Sequence, residues 1–389
     1  MAFHAREPQV SRLKVLLLCR YGPMAASTRH RFLQYLPYLT EHGFDVHVET
    51  LLDDIYLQDL YAQRGLSRTR IARSYARRLW LLRRSWHYDL IWTYIEAFPW
   101  VPGWLEAMLT PQGIPYVVDY DDAMFHRYDR HRSPIVRKLL GQKIDRVMRD
   151  AALVVAGNQY IAGRARDAGA KRVEILPTVV DLDRYPVAAP VSGTECFTIG
   201  WIGSPATAYN LQLTRPALAK FCESRNARVV AVGSGSLELG DVPLEVKPWA
   251  EATEVEEIRQ FDVGIMPLID SPFERGKSGF KLIQYMACAR PVIGSPVGVN
   301  REIITDGENG FWATTADEWI QALERLWGDQ DLCRRQGEAG RRQVEERYSL
   351  QVTAPKLARL LRSVTGPKLL SESQADASGS KMGSERLPK

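Results

Sequence analysis

The sequence predicts an α/β protein with two doubly wound parallel-sheet domains facing a cleft. Three observations lead there. Short β-branched apolar runs alternate with stretches of helical period, the alternation is played twice, and a segment bearing Pro and Gly, VAAPVSGTEC (187–196), separates the two passes. A chain of 389 residues has the length for two or three domains and for a large core.

In the first pass KVLLLCR (14–20) reads as a strand, and the loop YGPMAAST follows it. A helix is predicted over RHRFLQYLPYLTEHG (29–43), with Phe32, Leu36 and Leu39 on one stripe and Gly43 as its stop. FDVHVETL (44–51), DLIWTYI (89–95), PYVVDYD (115–121) and ALVVAGN (152–158) are further strands, and VEILPTVVDLDRYP (173–186) ends the unit. The second pass supplies FTIGWIGSP (197–205), ARVVAVGSGS (227–236), PLEVKPW (243–249), FDVGIMPL (261–268) and RPVIGSPVG (290–298). Helices follow from Ala316 to Gly328, with Thr315 and Glu318 spaced as a capping box, from Leu332 to Tyr348, and over PKLARLLRSV (355–364). The division expected is 1–186 and 187–365, both Rossmann-like, with the last helix free to fold back on the first domain. The polar end, 366–389, reads as a disordered tail.

Composition narrows the class. Apolar residues make up 45% and charged residues 25%, as in ordinary globular proteins. The five cysteines, Cys19, Cys196, Cys222, Cys288 and Cys333, form no C-x-x-C pair, which fits a reducing compartment and a cytoplasmic protein. No apolar run approaches the roughly 18 residues of a membrane span, and VLLLC (15–19) is too short for a signal-peptide core. Secreted, membrane-spanning, collagenous and disordered classes are set aside.

The net charge of +5 is uneven, +7 over residues 1–185 and −2 over 186–389. Between Leu60 and Tyr88 lie Arg64, Arg68, Arg70, Arg73, Arg77, Arg78, Arg83 and Arg84, with no acid. Ile71, Tyr75, Leu79, Leu82 and Trp86 recur there at helical spacing. A basic amphipathic helix suits an anionic membrane surface, and the expected location is cytoplasmic, at most peripheral at the inner face of the cell membrane. The plainer reading is a core-facing helix with a solvated Arg face.

The most informative segment is SPFERGKSGFKLIQYMACARPVIGSPVGVNREII (271–304). A turn leads into a helix starting near Gly279, and free N–H groups at such a start suit phosphate. Arg275, Lys277 and Lys281 gather at that end, where the helix dipole disfavours cations unless an anion is bound.

QYMACARPVIGSPVG resembles the donor-binding signature of the retaining GT-B glycosyltransferases of family 4, also called group 1. The resemblance extends, in order, through PTVVDLDRYP, VVAVGSGS, VKPWAEATEVEEIRQFDVGIMPL and DGENGFW. It implies a GT-B fold, a nucleotide-diphosphate sugar donor (UDP- or GDP-linked) on the second domain, retention at the anomeric carbon and no required cofactor or metal. With that resemblance and the cations at the helix start, the donor-binding candidates are Gly203, Ser204, Thr207, Gly233, Trp249, Glu274, Arg275, Ser278, Gly279, Phe280 and Gln284. Two departures stand out. The family's glutamate pair falls on Gly276 and Gln284, with Glu274 two residues early as a stand-in, and the loop GSPATAYN (203–210) carries no cation. Lys277 and Lys281 then supply the missing charge, as electrostatic catalysts on the leaving diphosphate.

The acceptor is expected on the first domain. Gly22, Ser27 and Arg29 lie in or after the first loop, and Glu96 follows DLIWTYI. Asp119, Asp121 and Asp122 crowd the end of another strand, where mutual repulsion is costly without a purpose. Asp121 falls at the His of the family's His-Asp pair and is the candidate to orient or deprotonate an acceptor hydroxyl. At least one of the three is expected to serve only as a helix cap. Asp119-Tyr120-Asp121 also reads as a metal-binding Asp-x-Asp, which a cationic diphosphate site makes redundant. No G-x-G-x-x-G, P-loop, nucleophile elbow or zinc spacing is present, and nothing beyond the arginines suggests nucleic acid. The activity expected is glycosyl transfer to a saccharide or lipid-linked acceptor in polysaccharide, glycolipid or other glycoconjugate synthesis. A nucleotide-sugar epimerase and a catalytically silent binding or scaffold protein are the alternatives.

Overall fold

The computed structural model describes residues 12–62, 64–186 and 196–366. Most of the linker at 187–196, and the tail beyond 366, lie outside the described residues. The described residues form two six-stranded sheets in which every strand pair is parallel. The first contains β1 (Leu13–Tyr21), β2 (Phe44–Leu52), β3 (Leu90–Tyr94), β4 (Tyr116–Tyr120), β5 (Leu153–Ala156) and β6 (Val173–Ile175), in the order β2-β1-β3-β4-β5-β6. The second contains β7 (Phe197–Ile202), β8 (Ala227–Val232), β9 (Leu244–Lys247), β10 (Val263–Met266), β11 (Val292–Gly294) and β12 (Gly310–Trp312), in the order β12-β11-β10-β7-β8-β9. The two predicted Rossmann-like domains are present.

Helices cover both faces of each sheet, so the inner strands are largely apolar, while the edge strands β2 and β9 carry exposed polar residues. Val15, Leu16, Leu17, Leu18 and Cys19 are all buried. Each sheet reverses its order once, between β1 and β3 and between β7 and β10. Crevices beyond the carboxyl ends of the strands at such points are where doubly wound proteins bind ligands.

Two elements differ from the sequence reading. The helix expected over 29–43 is three short pieces, Ala26–Arg31, Leu33–Tyr35 and Leu36–Glu41, broken at Phe32 with φ −131° and ψ −64°. Pro37 in the third piece has no N–H to donate to residue 33, so a continuous ladder is interrupted. DGENGFW contributes β12, whose three residues are too few to show a period. The capping box forms as spaced: Glu318 N–H donates to the Thr315 hydroxyl, and the Glu318 carboxylate accepts from the Thr315 N–H.

The helix Leu350–Ser363 returns to the first domain. The Tyr35 and Thr353 hydroxyls are 3.0 Å apart, Lys356 donates to the Ile175 carbonyl, and Arg172 donates to Ser363.

The basic helix spans Arg68–Arg83. Arg68, Arg70, Arg73, Arg83 and Arg84 are exposed, but Arg78 is fully buried. Its guanidinium pairs with Glu49 at 2.5 Å and donates to the Cys19 and Ala97 carbonyls, tying the helix to β1 and β2. Removing one partner of a buried pair strands the other charge. Arg78→Ala should therefore cost about 3–5 kcal/mol in urea unfolding, while exposed Arg73→Ala should stay within about 0.5 kcal/mol.

Candidate functional site

The loop after β10 carries a turn, Glu274–Gly276, and then the helix Phe280–Ala287. Gly279 caps that helix at φ 66°, a left-handed conformation that glycine adopts freely, and a Cβ there would overlap Ile303. This strap, Glu274–Gly279, lies on the first domain. Gly276 packs on Ala123 so closely that any Cβ would overlap the alanine's own. Asn158 donates to the carbonyls of Gly276 and Lys277 at 3.0 and 3.1 Å, and Lys277 Nζ lies 3.2 Å from Asp122 Oδ2. Above the strap, the Arg29 guanidinium lies 4.5 Å over the Trp249 ring and His30 packs on Phe280 at 4.4 Å. Burial pushes His30 down to about 3, so at neutral pH it is an uncharged packing residue.

The predicted donor residues gather on the second-domain wall. Gly203, Gly233, Trp249 and Lys281 adjoin one another: a Cβ on Gly203 would meet Trp201 and Lys281, and one on Gly233 would meet the Gly203 carbonyl and Trp249. Lys281 Nζ sits 5.3 Å from the Trp201 ring centre. Burial first, and Lys277 second, push Lys281 down to about 8. Burial opposes the charge on Lys277 too, but Asp122 and Glu274 outweigh it and hold its pKa above the ordinary lysine value. Ser204 precedes a 3-10 helix, Pro205–Thr214, and its carbonyl accepts from the Thr207 hydroxyl. Glu274 is buried and takes a 2.6 Å hydrogen bond from the Tyr209 hydroxyl on one oxygen, while the other has no partner. Ser278 and Phe280, half-buried, flank the helix start.

Arg275 does not join the two lysines. It is exposed and holds Asp270 in a two-pronged pair at 2.6 and 3.1 Å. Gln284 turns toward the crossover: its amide donates to the Tyr185 hydroxyl at 3.0 Å, and that hydroxyl donates to Glu254. Glu254 also accepts from the Trp249 indole at 2.8 Å. This explains the glutamine. The tyrosine's one proton goes to Glu254, so its other partner must donate, which a carboxylate at 284 would not do. Glu254 thus places a carboxylate beside the position that lacks one. The sequence reading passed over it because it lies in an acid-rich helix, EVEEIR, that looks like solvated surface.

On the first-domain wall the three aspartates take different roles. Asp119 is buried and held by Arg31 at 2.6 Å. Asp121 accepts from the Tyr94 hydroxyl at 2.7 Å, and Ser27 lies near the same tyrosine. Burial and neighbouring Asp122 push Asp121 up to about 6, with Arg31 acting against them. Asp122 faces Lys277. None of the three caps a helix in the described residues. Gly22 lies against Asp54, and Glu96 is buried among Lys143, Tyr128 and Arg20 rather than open to the cleft. No cluster of three or more metal-ligating side chains occurs among the described residues. Tyr94 and Asn158, and the pairing of Arg31 with Asp119, were missed in the sequence because each acts through a contact far along the chain.

Two family models match the chain. Residues 196–329 match one described as "Glycosyl transferases group 1", and residues 31–184 match one described as "Glycosyltransferase Family 4". EpsD of Bacillus subtilis, itself assigned as a glycosyltransferase, is 31% identical over 126 residues, a stretch spanning 30% of this chain and 32% of that protein. Among solved structures, sucrose-phosphate synthase from Thermosynechococcus elongatus superposes with a TM-score of 0.70 at 15% identity, covering 91% of this chain and 99% of that one. HepE of Anabaena, solved with UDP and glucose, gives 0.65 at 17% identity, covering 90% and 100%. The fold is therefore GT-B, and the chain is glycosyltransferase-like in both halves.

The seating of the strap makes a prediction. Gly276→Val should force the domains apart at Ala123, raising the radius of gyration in small-angle scattering while far-ultraviolet circular dichroism stays unchanged.

Proposed function

We propose that the protein transfers a sugar from a nucleoside-diphosphate donor on the second domain to an acceptor hydroxyl bound by the first, with retention at the anomeric carbon. The observation that carries this reading is the meeting, across one cleft, of Lys277 and Lys281 at a helix start with Asp121 at the end of β4. The relatives support it: HepE is described in complexes with UDP, UDP-glucose, and UDP with glucose.

The charges suggest how the donor enters. Lys277 is tied to Asp122, so a diphosphate competes with that carboxylate for the ammonium. Once phosphate oxygens take Lys277, Asp122 is released toward the acceptor side. Lys277, Lys281 and the N–H groups of the Phe280–Ala287 helix then stabilise charge growing on the leaving diphosphate. Asp121, its pKa raised to about 6 by burial and Asp122, orients the acceptor hydroxyl and takes its proton. Gly203, Ser204 and Thr207 line the phosphates, and Trp249 with Glu254 borders the nucleoside. The reading requires no metal or cofactor.

The donor test is thermal shift with UDP and GDP, without metal. One of them should raise the midpoint by mass action, and Lys277→Ala/Lys281→Ala should abolish the rise. Lys281 is protonated below about 8, so affinity should fall as pH climbs from 7 to 9.5. Lys281→Arg, charged throughout, should remove that fall. Binding without turnover across donor and acceptor panels would favour the silent binding protein, to which Gly276 and Gln284 at the family's glutamate positions lend weight.

The reading extends to location: a cytoplasmic protein that works at the inner face of the membrane on a saccharide or lipid-linked acceptor. Its support is a surface on which the exposed arginines of the basic helix accompany Trp80, Trp86, Trp104 and Met108, all exposed. The helix Gly103–Leu109 packs beside the basic helix over the same sheet face. Tryptophan and arginine together suit a headgroup layer. Each arginine near an anionic bilayer contributes about 1 kcal/mol, so Arg68→Gln/Arg70→Gln/Arg73→Gln/Arg84→Gln should cut cosedimentation with phosphatidylglycerol vesicles by at least about 100-fold. Unchanged cosedimentation removes the membrane from the reading.

A further inference from the structure

Arg20 stands at the carboxyl end of β1, on the acceptor side of the cleft, and is 7% exposed. Its Nε and Nη1 are buried with no hydrogen-bond partner. The nearest carboxylate, Glu96, is 3.7 Å away, beyond hydrogen-bond reach. Glu96 is already satisfied by others: Lys143 at 2.7 Å and the Tyr128 hydroxyl at 2.8 and 3.0 Å. Lys143 also spans to Glu106 at 2.9 Å. Two cations and two carboxylates balance in charge, yet Nε and Nη1 of Arg20 remain without acceptors. Buried donors are almost always paired, and a guanidinium presents a planar fork matched to phosphate or carboxylate.

Tyr21 lies beside the guanidinium, at 5.4 Å, and stacks on Tyr56. Tyr56 is half-buried and feels both Arg20 and the exposed Arg127. Tyr94, which holds Asp121, also lies within the field of Arg20. β1, β3 and β4 are successive neighbours in the sheet, so Arg20 and Asp121 end two strands apart, about 10 Å.

We infer that Arg20, with Arg127 at the mouth, forms an anion subsite, and that the acceptor carries a phosphate or carboxylate about 10 Å from the hydroxyl that reacts. This rests on the proposed placement of the acceptor on the first domain. The anion completes the fork that Glu96 leaves open, and it registers the acceptor against Asp121. Arg20 is a specificity residue that touches substrate, and Glu96 is the positioning residue behind it.

The test is a phosphorus NMR titration of the full chain with inorganic phosphate and with glycerol 1-phosphate, acetate serving as the carboxylate probe in a parallel chemical-shift titration. Dihexanoyl phosphatidate distinguishes a lipid-borne phosphate from a free one. Wild type should bind phosphate at two sites. Arg20→Gln should remove one and Lys277→Ala/Lys281→Ala the other. Arg20→Lys should weaken the first by about tenfold, because the ammonium keeps the charge and loses the fork. A folded Arg20→Gln that retains both sites overturns the inference. If Arg20→Gln fails to fold, exposed Arg127→Gln decides: weaker phosphate binding at the first site supports the subsite, and unchanged binding overturns it. Loss with Arg20→Gln but none with the lysine variant keeps the subsite and overturns the donor reading instead.

Discussion

The cleft depends on the seating of one short strap. Glu274–Gly279 leaves the second sheet, crosses to the first domain, and is held there by Ala123, Asn158 and Asp122. Glycine at 276 is what lets the backbone approach that closely. From this contact follows the position of Lys277, the start of the Phe280–Ala287 helix, and the distance between the two walls. An ion pair such as Lys277–Asp122 is a weak fastener by itself when partly exposed. The buried amide bonds from Asn158 and the steric fit at Gly276 give the seating its definition. A charged ligand therefore has a defined rival, Asp122, in a cleft that is otherwise fixed.

Much of the architecture was legible because its signals are local. Of the twelve strands among the described residues, eight fall inside apolar runs that the sequence marks as strands. β1 overruns its run by one residue at each end and β2 by one residue at its end; β6 and β12 were not marked. The Thr315–Glu318 cap needs only three residues of spacing, and its bonds form as read. The helix predicted over 29–43 fared worse, since Pro37 breaks a pattern whose apolar stripe is genuine. In the site, the glycines and lysines of 271–304 were visible through composition at a helix start.

What escaped the reading was pairing over distance. Arg275 looked like a third cation for an anion, but Asp270, five residues back, claims it. Arg78 looked like part of a solvated face, but Glu49 draws it wholly inside. Glu254 drew no reading of its own, yet Tyr185 and Trp249 make it an interior acceptor. In each case residue type was plain and the partner was not, because the partner is chosen by tertiary contact. A buried donor or carboxylate means something only once its complement is counted.

The returning helix Leu350–Ser363 has a consequence for the order of assembly. It packs on Tyr35, Ile175 and Arg172, all of the first domain, yet it is made only after the whole second domain. A nascent chain thus carries an unfinished first domain, its docking face bare, throughout synthesis of the second. The domain encoded first is completed last. Separate expression of the two halves would divide one folding unit rather than release two.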